Sequence, residues 1–465
     1  MLGISFFLCY DIWTETDKII HLDRNNNYLS KENGMKVYIT GHRNPDLDSV
    51  CSAYAYAALK SKLDPDNEYI AVRCGHLSES CKSILAALEI NVPPYMPNVF
   101  PKVSDVMIDA DSHVDIDSPL KSLAGNYSDS NPSVVPIYEN DKFTGLMSVD
   151  DIAAWLMKEL SENEVPTHSP TIREVMRTPG QTLQTEDLFE EAKISLKASQ
   201  KRGLAVFEGK EYKGFVTRRC FLHVPKYNVI LVDHNEPKQS IKGIEEANIL
   251  EIVDHHRLDA IKTTLPIFID AEPLGSTCTI VYQLYLRNNV VPDKDVAKAL
   301  LTGMISDTLI LKSPTTTQID VESAKALAGI IGVDIKEFGS EMFSHTQGLA
   351  STDPETAILA DFKRYTEKGV SIGIGQCEVN SLHDLEEYKA AFLKALRGIR
   401  KKNGLDWAVV MITNVISENS VLLTTNYRSV KHLPYTQLEE GVLDMPGVMS
   451  RKKQLLPEML YTLGM

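Results

Sequence analysis

An apolar strand followed directly by a loop of metal-ligand side chains is the strongest indication of the fold. Its sequence is Lys36-Val37-Tyr38-Ile39-Thr40-Gly41-His42-Arg43-Asn44-Pro45-Asp46-Leu47-Asp48-Ser49. The same order occurs twice more. Asn228–Val232 leads into Asp233, and Ile249-Leu250-Glu251-Ile252-Val253 leads into Asp254-His255-His256. Ligands of an open parallel sheet bind beyond the carboxyl ends of its strands. These stretches together predict a parallel α/β sheet with a site at that edge.

Six side chains are candidate metal ligands, namely His42, Asp46, Asp48, Asp233, His255 and Asp307. Carboxylates with two imidazoles suit Mn²⁺ or a similar ion better than structural zinc, which prefers thiolates. Taken singly, each of these residues also fits a turn, a helix cap or a surface histidine pair. Their clustering at one predicted sheet edge favours two ions, which can deprotonate a shared water and hold phosphoryl oxygens.

Composition limits the class of protein. The chain has 465 residues, which predicts several domains, and its net charge of −15 argues against a nucleic-acid partner. It lacks an apolar run long enough to span a membrane. Its seven cysteines are scattered without a C-x-x-C pair, which indicates reduced thiols and a cytoplasmic location.

An internal repeat with an offset of 69 residues separates the early metal motifs from the late ones. Val103-Ser104-Asp105-Val106-Met107 aligns with Ile172-Arg173-Glu174-Val175-Met176, and Gly145-Leu146-Met147-Ser148 aligns with Gly214-Phe215-Val216-Thr217. Each unit is predicted to form a helix, a strand, a turn, a strand and a helix. Insertions are tolerated at exposed loops, so we expect the pair to be inserted in a loop of the parallel-sheet domain.

The predicted domain boundaries follow from these motifs. Residues 1–34 form an extension that is not essential, with Met35 as the natural start. The parallel-sheet domain has a first part over 35–100 and a second part over 225–345, with the repeat insert over 101–224 between them. A polar stretch over 344–352 reads as a linker, and a smaller α/β domain occupies 346–465.

Several basic or titratable residues are candidate substrate ligands. Arg451-Lys452-Lys453 is a basic run in an acidic chain, and Lys363 is a similar candidate. Both fit a phosphate clamp, although for each of them taken alone a solvated surface is the usual interpretation. His256, beside His255, could act as a protonated acid on a phosphoryl oxygen or leaving group.

The motifs resemble those of the DHH phosphoesterase superfamily, and more narrowly the family II (manganese-dependent) inorganic pyrophosphatases that carry an inserted CBS-domain pair. Gly-His-x-x-Pro-Asp-x-Asp-Ser and Asp-His-His are the superfamily signals. Ser450-Arg451-Lys452-Lys453-Gln454 is the mark of the pyrophosphatases. The resemblance covers residues 35–465 and implies that the C-terminal domain is of the DHHA2 type.

The resemblance implies a particular site and reaction. One Mn²⁺ or Co²⁺ ion would bind His42, Asp46 and Asp233, and a second would bind Asp48, Asp233, His255 and Asp307. The cations that bind substrate would be His256, Lys363, Arg451 and Lys452. The C-terminal domain would close on pyrophosphate accompanied by Mg²⁺. A hydroxide between the ions would then attack one phosphorus, with two orthophosphates as products.

The resemblance of the repeat to tandem CBS motifs implies regulation by adenine nucleotides, with AMP and ADP as inhibitors and ATP-like ligands as activators. The candidate nucleotide-binding residues are Ser148, Asp151, Arg202 and Thr217. Cys220 stands where the second unit would carry the aspartate, which implies one nucleotide per pair. By analogy with other CBS pairs, the chain is expected to form a homodimer.

Two alternatives stay open at this point. The chain could be another DHH phosphoesterase, such as a nanoRNase, a cyclic-dinucleotide phosphodiesterase, a RecJ-like exonuclease or a short-polyphosphate hydrolase. The absence of a glycine-rich C-terminal signature argues against the nucleotide enzymes. Alternatively, it could be a nucleotide sensor built on an inactive hydrolase scaffold, which the complete set of six ligands opposes.

Overall fold

The computed structural model describes residues 34–463, apart from 110–112, 124–132, 163–167, 178–179, 260–261, 346–352, 380–381, 383 and 415–418. The predicted extension over 1–34 therefore lies outside the described residues except for Gly34. Most of the predicted linker over 344–352 lies outside them as well.

The described elements are numbered in chain order. The strands are β1 (Lys36–Thr40), β2 (Glu68–Val72), β3 (Ile108–Asp109), β4 (Val114–Asp115), β5 (Val134–Glu139), β6 (Lys142–Ser148), β7 (Leu183–Gln184), β8 (Gly203–Glu208), β9 (Glu211–Thr217), β10 (Asn228–Val232), β11 (Asn248–Asp254), β12 (Phe268–Ala271), β13 (Phe362–Glu367), β14 (Val370–Val379), β15 (Trp407–Asn414), β16 (Asn419–Thr424), β17 (Thr436–Glu439) and β18 (Val442–Pro446). The helices are α1 (Leu47–Leu63), α2 (Glu79–Ala87), α3 (Val149–Glu162), α4 (Ile172–Val175), α5 (Phe189–Ser199), α6 (Thr277–Arg287), α7 (Lys294–Thr308), α8 (Gln318–Ile331), α9 (Ile335–Ser344), α10 (Pro354–Ala360), α11 (Leu385–Lys402) and α12 (Leu456–Thr462).

The first domain is built on a five-stranded sheet in the order β12-β11-β10-β1-β2, in which every pair is parallel. Strands β1 and β10 read as short apolar runs because helices and loops cover both faces of the sheet centre. Helices α1, α6 and α7 pack together in the largest core cluster. The carboxyl ends of β1, β10 and β11 therefore lie side by side, as the sequence predicts.

The insert between β2 and β10 contains the predicted repeat, and the structure confirms its offset of 69 residues. The hairpin of β5 and β6 corresponds strand for strand to the hairpin of β8 and β9. One prediction within the insert is wrong. The second unit ends in the short 3-10 turn Arg218–Phe221, whereas the first ends in the helix α3.

The C-terminal domain contains a mixed six-stranded sheet in the order β13-β14-β15-β16-β18-β17. Strands β14 and β15 are parallel and the remaining pairs are antiparallel. Apolar clusters cover both faces, and β15 is buried at all eight of its positions. This confirms the predicted fold class, a parallel-sheet α/β domain with an insert, followed by a smaller α/β domain. Among the described helices, none combines the length and apolar character needed to cross a bilayer.

Candidate metal centre

The six predicted ligands meet at the carboxyl edge of the first sheet. His42 follows β1, Asp233 directly follows β10, and His255 follows β11. Asp48 lies in the first turn of α1, and Asp307 lies in the last turn of α7. Ligand atoms of two groups lie within 4.8 Å of one another, His42 with Asp46 and Asp233, and Asp48 with His255 and Asp307.

Asp233 connects the two groups. Its Oδ2 lies 3.3 Å from Nε2 of His42, which is itself 3.3 Å from Oδ2 of Asp46. Its Oδ1 lies 3.5 Å from Nε2 of His255, and that nitrogen is 3.4 Å from Oδ2 of Asp307. One carboxylate oxygen thus faces each group, which is the arrangement needed to bridge two ions.

The backbone at Asp233 is held in an uncommon conformation. Its φ of +59° is left-handed, and its amide donates to the carbonyl of Val253 at 3.0 Å. Aspartate tolerates this region better than most residues, but the conformation still costs about 1–3 kcal/mol. The hydrogen bond to the end of β11 keeps the turn in place, so the side chain stays aimed between the two groups.

Two buried atoms of this cluster have no hydrogen-bond partner in the part of the chain that the structure describes, namely Oδ2 of Asp233 and Nε2 of His255. An unpaired buried polar group costs about 1–3 kcal/mol. Both atoms carry lone pairs that would coordinate a cation. The donor set of carboxylates and imidazoles therefore fits two divalent ions such as Mn²⁺ or Co²⁺.

The shifted pKa values of the cluster also indicate that its carboxylates lack a neutralising positive charge. Burial, followed by the charges of Asp48 and Asp46, raises the pKa of Asp233 to about 7. Burial and Asp48 also raise the pKa of Asp307 well above its ordinary range. Burial alone would lower the pKa of His42, but the carboxylates of Asp46 and Asp233 raise it well above its ordinary value. A pair of divalent ions would relieve this crowding of carboxylates.

The N-terminus of α6 holds Asp48, a contact that was not predicted from the sequence. The Ser276 hydroxyl donates to Oδ1 of Asp48 at 2.6 Å, and the amides of Thr277 and Cys278 donate to its carboxylate at 2.7 and 3.0 Å. The Thr277 hydroxyl donates to Oδ1 of Asp233 at 3.0 Å. Helix N-termini favour carboxylates. A helix cap at Ser276 is readable from sequence, but its partner lies 228 residues away.

Both histidines of the Asp-His-His motif are oriented by a second hydrogen bond. Nδ1 of His255 lies 3.1 Å from the carbonyl of Leu274, which leaves Nε2 free to accept a cation. Nδ1 of His256 lies 2.9 Å from Oδ1 of Asp254. Burial, followed by the charge of His255, lowers the pKa of His256 to about 3. The free protein therefore holds His256 neutral at pH 7, and the predicted protonated form would require the charge of a bound anion.

The three predicted substrate cations of the C-terminal domain differ in their placement. Arg451 is held within its own domain, where its guanidinium donates to the carbonyl of Asp361 at 2.7 Å and lies 2.9 Å from the Asp361 carboxylate. Lys363, on β13, is close enough to lower the pKa of Asp46. Partial burial, followed by the charge of Lys363, lowers the pKa of Lys452.

Lys452 also interacts electrostatically with Asp254, Asp307 and Asp233, all of the first domain. The neighbouring Lys453 donates to the carbonyl of Pro314 at 3.3 Å, which links the two domains directly. The C-terminal domain therefore places positive charge opposite the carboxylate cluster.

Three of the four predicted nucleotide-binding residues share a second pocket, between the two units of the insert. Ser148, Asp151 and Arg202 line this cavity of about 50 Å³. Asp151 is buried and accepts hydrogen bonds from the amide and hydroxyl of Ser148 at 2.8 and 2.7 Å. Thr217 does not line the pocket, because it is tied to Cys220 through an amide-to-Sγ contact of 3.3 Å. The prediction missed Arg177, whose Nε lies 3.7 Å from the Asp151 carboxylate.

A parallel sheet that carries Asp-His-His at its carboxyl edge defines a class of protein, and the family models identify it. The model of the DHH family, N-terminal domain, matches residues 36–304, and the DHHA2 domain matches residues 340–460. The chain therefore belongs to the DHH family, and its relatives include proteins named as manganese- and cobalt-dependent inorganic pyrophosphatases. This confirms the predicted resemblance to DHH-family inorganic pyrophosphatases with a DHHA2 domain, and the CBS character of the insert remains a prediction.

The individual relatives support this assignment. The cobalt-dependent inorganic pyrophosphatase of Clostridium perfringens is 28% identical, over 90% of this chain and 97% of the relative. The manganese-dependent inorganic pyrophosphatase of Bacillus subtilis is 37% identical, over 49% of this chain and 75% of the relative. The crystal structure of a candidate family II inorganic pyrophosphatase from Methanococcus jannaschii has the same fold, with a TM-score of 0.57, 24% identity and coverage of 92% of this chain and 100% of that one.

Proposed function

We propose that this chain is a metal-dependent inorganic pyrophosphatase that hydrolyses diphosphate to two orthophosphates. The observation that carries the proposal is the double ligand cluster, in which Asp233 offers one carboxylate oxygen to each group. The names of the relatives, all inorganic pyrophosphatases, support this substrate over nucleotides.

The proposed cofactors are two Mn²⁺ or Co²⁺ ions per chain, with Mg²⁺ entering together with the substrate. His42, Asp46 and Asp233 would hold one ion, and Asp48, Asp233, His255 and Asp307 would hold the other. When bound, two such ions lower the pKa of water toward neutrality and neutralise the phosphoryl oxygens. The relatives from Clostridium perfringens and Bacillus subtilis are named for cobalt and manganese, respectively, which supports either metal.

The remaining residues would bind and orient pyrophosphate. Lys452 and Lys363 supply positive charge opposite the cluster, and Arg451 would reach the substrate by releasing its own-domain partner Asp361. His256, aligned by Asp254, would take up a proton as the anion binds and would donate it toward a phosphoryl oxygen. Closure of the C-terminal domain would exclude water from these contacts.

The proposal is tested with the full chain and Mn²⁺ by measuring orthophosphate release from pyrophosphate and tripolyphosphate and, by chromatography, the nucleotides released from the dinucleotides. Pyrophosphate should be hydrolysed, whereas a linear dinucleotide, a cyclic dinucleotide and tripolyphosphate should release product at least about 100-fold more slowly. Chelation with EDTA should abolish activity, and Mn²⁺ or Co²⁺ should restore it. Preferential cleavage of a dinucleotide would instead identify another DHH phosphoesterase. The absence of hydrolysis of all four compounds would favour a non-enzymatic nucleotide sensor.

We also propose that residues 101–224 form a CBS-type insert at which AMP, ADP and ATP regulate hydrolysis. The buried Asp151 in the inter-unit pocket is placed to accept the hydroxyls of a ribose, and Arg202 and Arg177 bring positive charge to the same pocket. Asp151→Ala should abolish the effect of AMP on pyrophosphate hydrolysis and leave the rate without AMP unchanged. Glu162→Ala, at the exposed far end of α3, is the control. An undiminished AMP effect in Asp151→Ala would reject this site.

The domain boundaries and the oligomeric state complete the proposal. We propose that the catalytic domain comprises residues 35–100 and 225–345, that residues 346–465 close over the substrate, and that the chain acts as a cytoplasmic homodimer. Light scattering of the full chain tests the dimer directly. A monomer at working concentration would contradict it.

A further inference from the structure

An open groove of about 480 Å³ lies next to the loop that carries His42, on the side where the insert joins the first domain. None of the six candidate metal ligands lines it. It is formed by Arg43 from the loop after β1, by Pro237–Lys242 from the chain after β10, and by Phe100 at the entrance to the insert. We refer to it as the hinge groove.

Three cationic side chains line the hinge groove, namely Arg43, Lys238 and Lys242. Within the described ranges, these three form no ion pair and no side-chain hydrogen bond. One acidic residue, Glu245, also lines the groove. The groove therefore carries a local excess of positive charge in a chain whose net charge is −15.

A buried hydroxyl adds a second, independent sign of a ligand. Ser240 lines the hinge groove and is 1% exposed, and its Oγ has no hydrogen-bond partner in the described part of the chain. A buried hydroxyl without a partner is destabilising. The staggered rotamers of serine allow the hydroxyl to turn toward an anion held by the three cations.

Backbone hydrogen bonds join the two loops and the insert at the wall of the groove. The amide of Arg43 donates to the carbonyl of Gln239 at 2.7 Å, and the amide of Val99 donates to the carbonyl of Lys242 at 2.9 Å. Gly243, at φ +85°, packs against the ring of Phe100, where a Cβ would lie only 2.9 Å from the ring. The loops that carry the cations also carry His42 and Asp233, so an occupant of the groove would touch both metal-bearing loops.

We propose that the hinge groove is a binding site for a phosphate group, separate from the metal centre and from the pocket of the insert. Arg43 would supply a guanidinium fork, Lys238 and Lys242 would supply point charges, and Ser240 would supply a hydroxyl. The phosphate could be free orthophosphate or the phosphate of a nucleotide. In either case a phosphate bound in the groove would contact the two metal-bearing loops close to the entrance of the insert.

The test uses the full chain freed of divalent ions with EDTA, so that its outcome does not depend on the proposed hydrolysis. Calorimetric titration with inorganic phosphate should show saturable binding that weakens as salt is added. The double variant Lys238→Glu/Lys242→Glu should bind phosphate at least about 10-fold more weakly. The control Lys325→Glu/Lys394→Glu changes the same charge on exposed helix surfaces and should bind like the wild type.

Ser240→Ala keeps all charges and tests the site independently in case the double variant misfolds. It should weaken phosphate binding by about 3-fold or more. A titration with AMP distinguishes the two sources. The titration uses Asp151→Ala, in which the proposed AMP site of the insert is removed: if AMP displaces phosphate from this variant, the groove takes a nucleotide phosphate, and if it does not, the groove takes the free anion. The proposal is overturned if phosphate does not bind saturably, or if Lys238→Glu/Lys242→Glu and Ser240→Ala both bind it as the wild type does.

Discussion

At the scale of the single residue, Asp233 has the largest influence, since it faces both ligand groups and is held in a left-handed backbone conformation. Asp233→Asn keeps the shape of the side chain but removes the negative charge that two cations would share. We expect pyrophosphate hydrolysis to fall at least about 100-fold and the content of bound Mn²⁺ to fall with it. Phosphate release and metal analysis check this prediction.

The matched control for that change is Asp66→Asn, which removes a carboxylate from an exposed loop after α1. It should retain wild-type activity and metal content. If Asp233→Asn hydrolysed pyrophosphate as fast as Asp66→Asn, the assignment of the bridging ligand would be wrong.

The raised pKa values predict how the metal-free protein responds to pH. Burial raises the pKa of Asp233 to about 7 and that of Glu378 to about 8. In the unfolded chain both groups release their protons near pH 4, so between pH 6.5 and 8 the folded state binds more protons. The stability that these groups contribute is therefore lost as pH rises through that window. The pKa of His256 is lowered to about 3, so this residue changes the pH dependence of stability only at lower pH.

We expect the melting temperature of the EDTA-treated protein to fall from pH 6.5 to pH 8. Bound Mn²⁺ should remove or reverse this fall, because the ions replace the protons and bind more tightly as the carboxylates ionise. Thermal melts with EDTA and with Mn²⁺ measure the difference. A metal-free protein that became more stable over this interval would contradict the crowding of carboxylates in the cluster.

At the scale of the element, the N-terminus of α6 both begins a helix and positions Asp48. Ser276 accepts from the amide of Cys278 at 3.0 Å and donates to Asp48 at 2.6 Å. Ser276→Ala should destabilise the protein by about 0.5–2 kcal/mol through loss of the cap. It should also weaken Mn²⁺ binding by about 10–100-fold through loss of the contact with a ligand. Chemical unfolding and metal titration report the two effects separately.

Helix α2 offers a control of the same chemistry. Ser78 caps this helix by accepting from the amide of Cys81 at 3.1 Å and contacts no candidate ligand. Ser78→Ala should therefore cost a similar amount of stability and leave Mn²⁺ affinity unchanged. If both serine variants weakened Mn²⁺ binding equally, the role of Ser276 would be general stability and not the support of Asp48.

At the scale of the whole molecule, the site depends on two domains that face each other. The carboxylates belong to the first domain, and Lys452 belongs to the second. Lys452→Ala should reduce kcat/KM for pyrophosphate about 100-fold or more, since it removes a positive charge aimed at the phosphoryl oxygens. Its affinity for Mn²⁺ should not fall, because no candidate metal ligand is lost. Steady-state kinetics and metal titration measure both quantities.

Lys453→Ala is the matched comparison, because this neighbour reaches across the domain boundary to Pro314 and not toward the ligand cluster. It should keep kcat/KM within about 10-fold of the wild type. Equal losses in both lysine variants would show that the two domains had separated, and the assignment of Lys452 to the substrate would fail.

Three features could be predicted from the sequence alone, namely the parallel sheet, the repeat and the candidate ligand set, because each depends on residues that are adjacent in the chain or separated by a constant offset. A strand is an apolar run, and the loop that follows it is contiguous with it, so His42, Asp233 and His255 could be assigned to one edge. The repeat was visible because its hairpins are separated by a constant offset. The short turn after β9 was not predicted, although Pro225, four residues beyond it, limits the length of a helix there, whereas residues 149–162 after β6 contain no proline.

The contacts between segments that are distant in the chain could be read only from the folded structure. The N-terminus of α6 reaches Asp48 across 228 residues of sequence, and Arg451 is paired with Asp361 and not with the metal cluster. Burial in the same cluster raises the pKa of Asp233 and lowers the pKa of His256. Hydrogen bonds and electrostatic interactions depend on the distance between atoms in space. For residues far apart in the chain, that distance is set by the folded structure and cannot be inferred from a local sequence pattern.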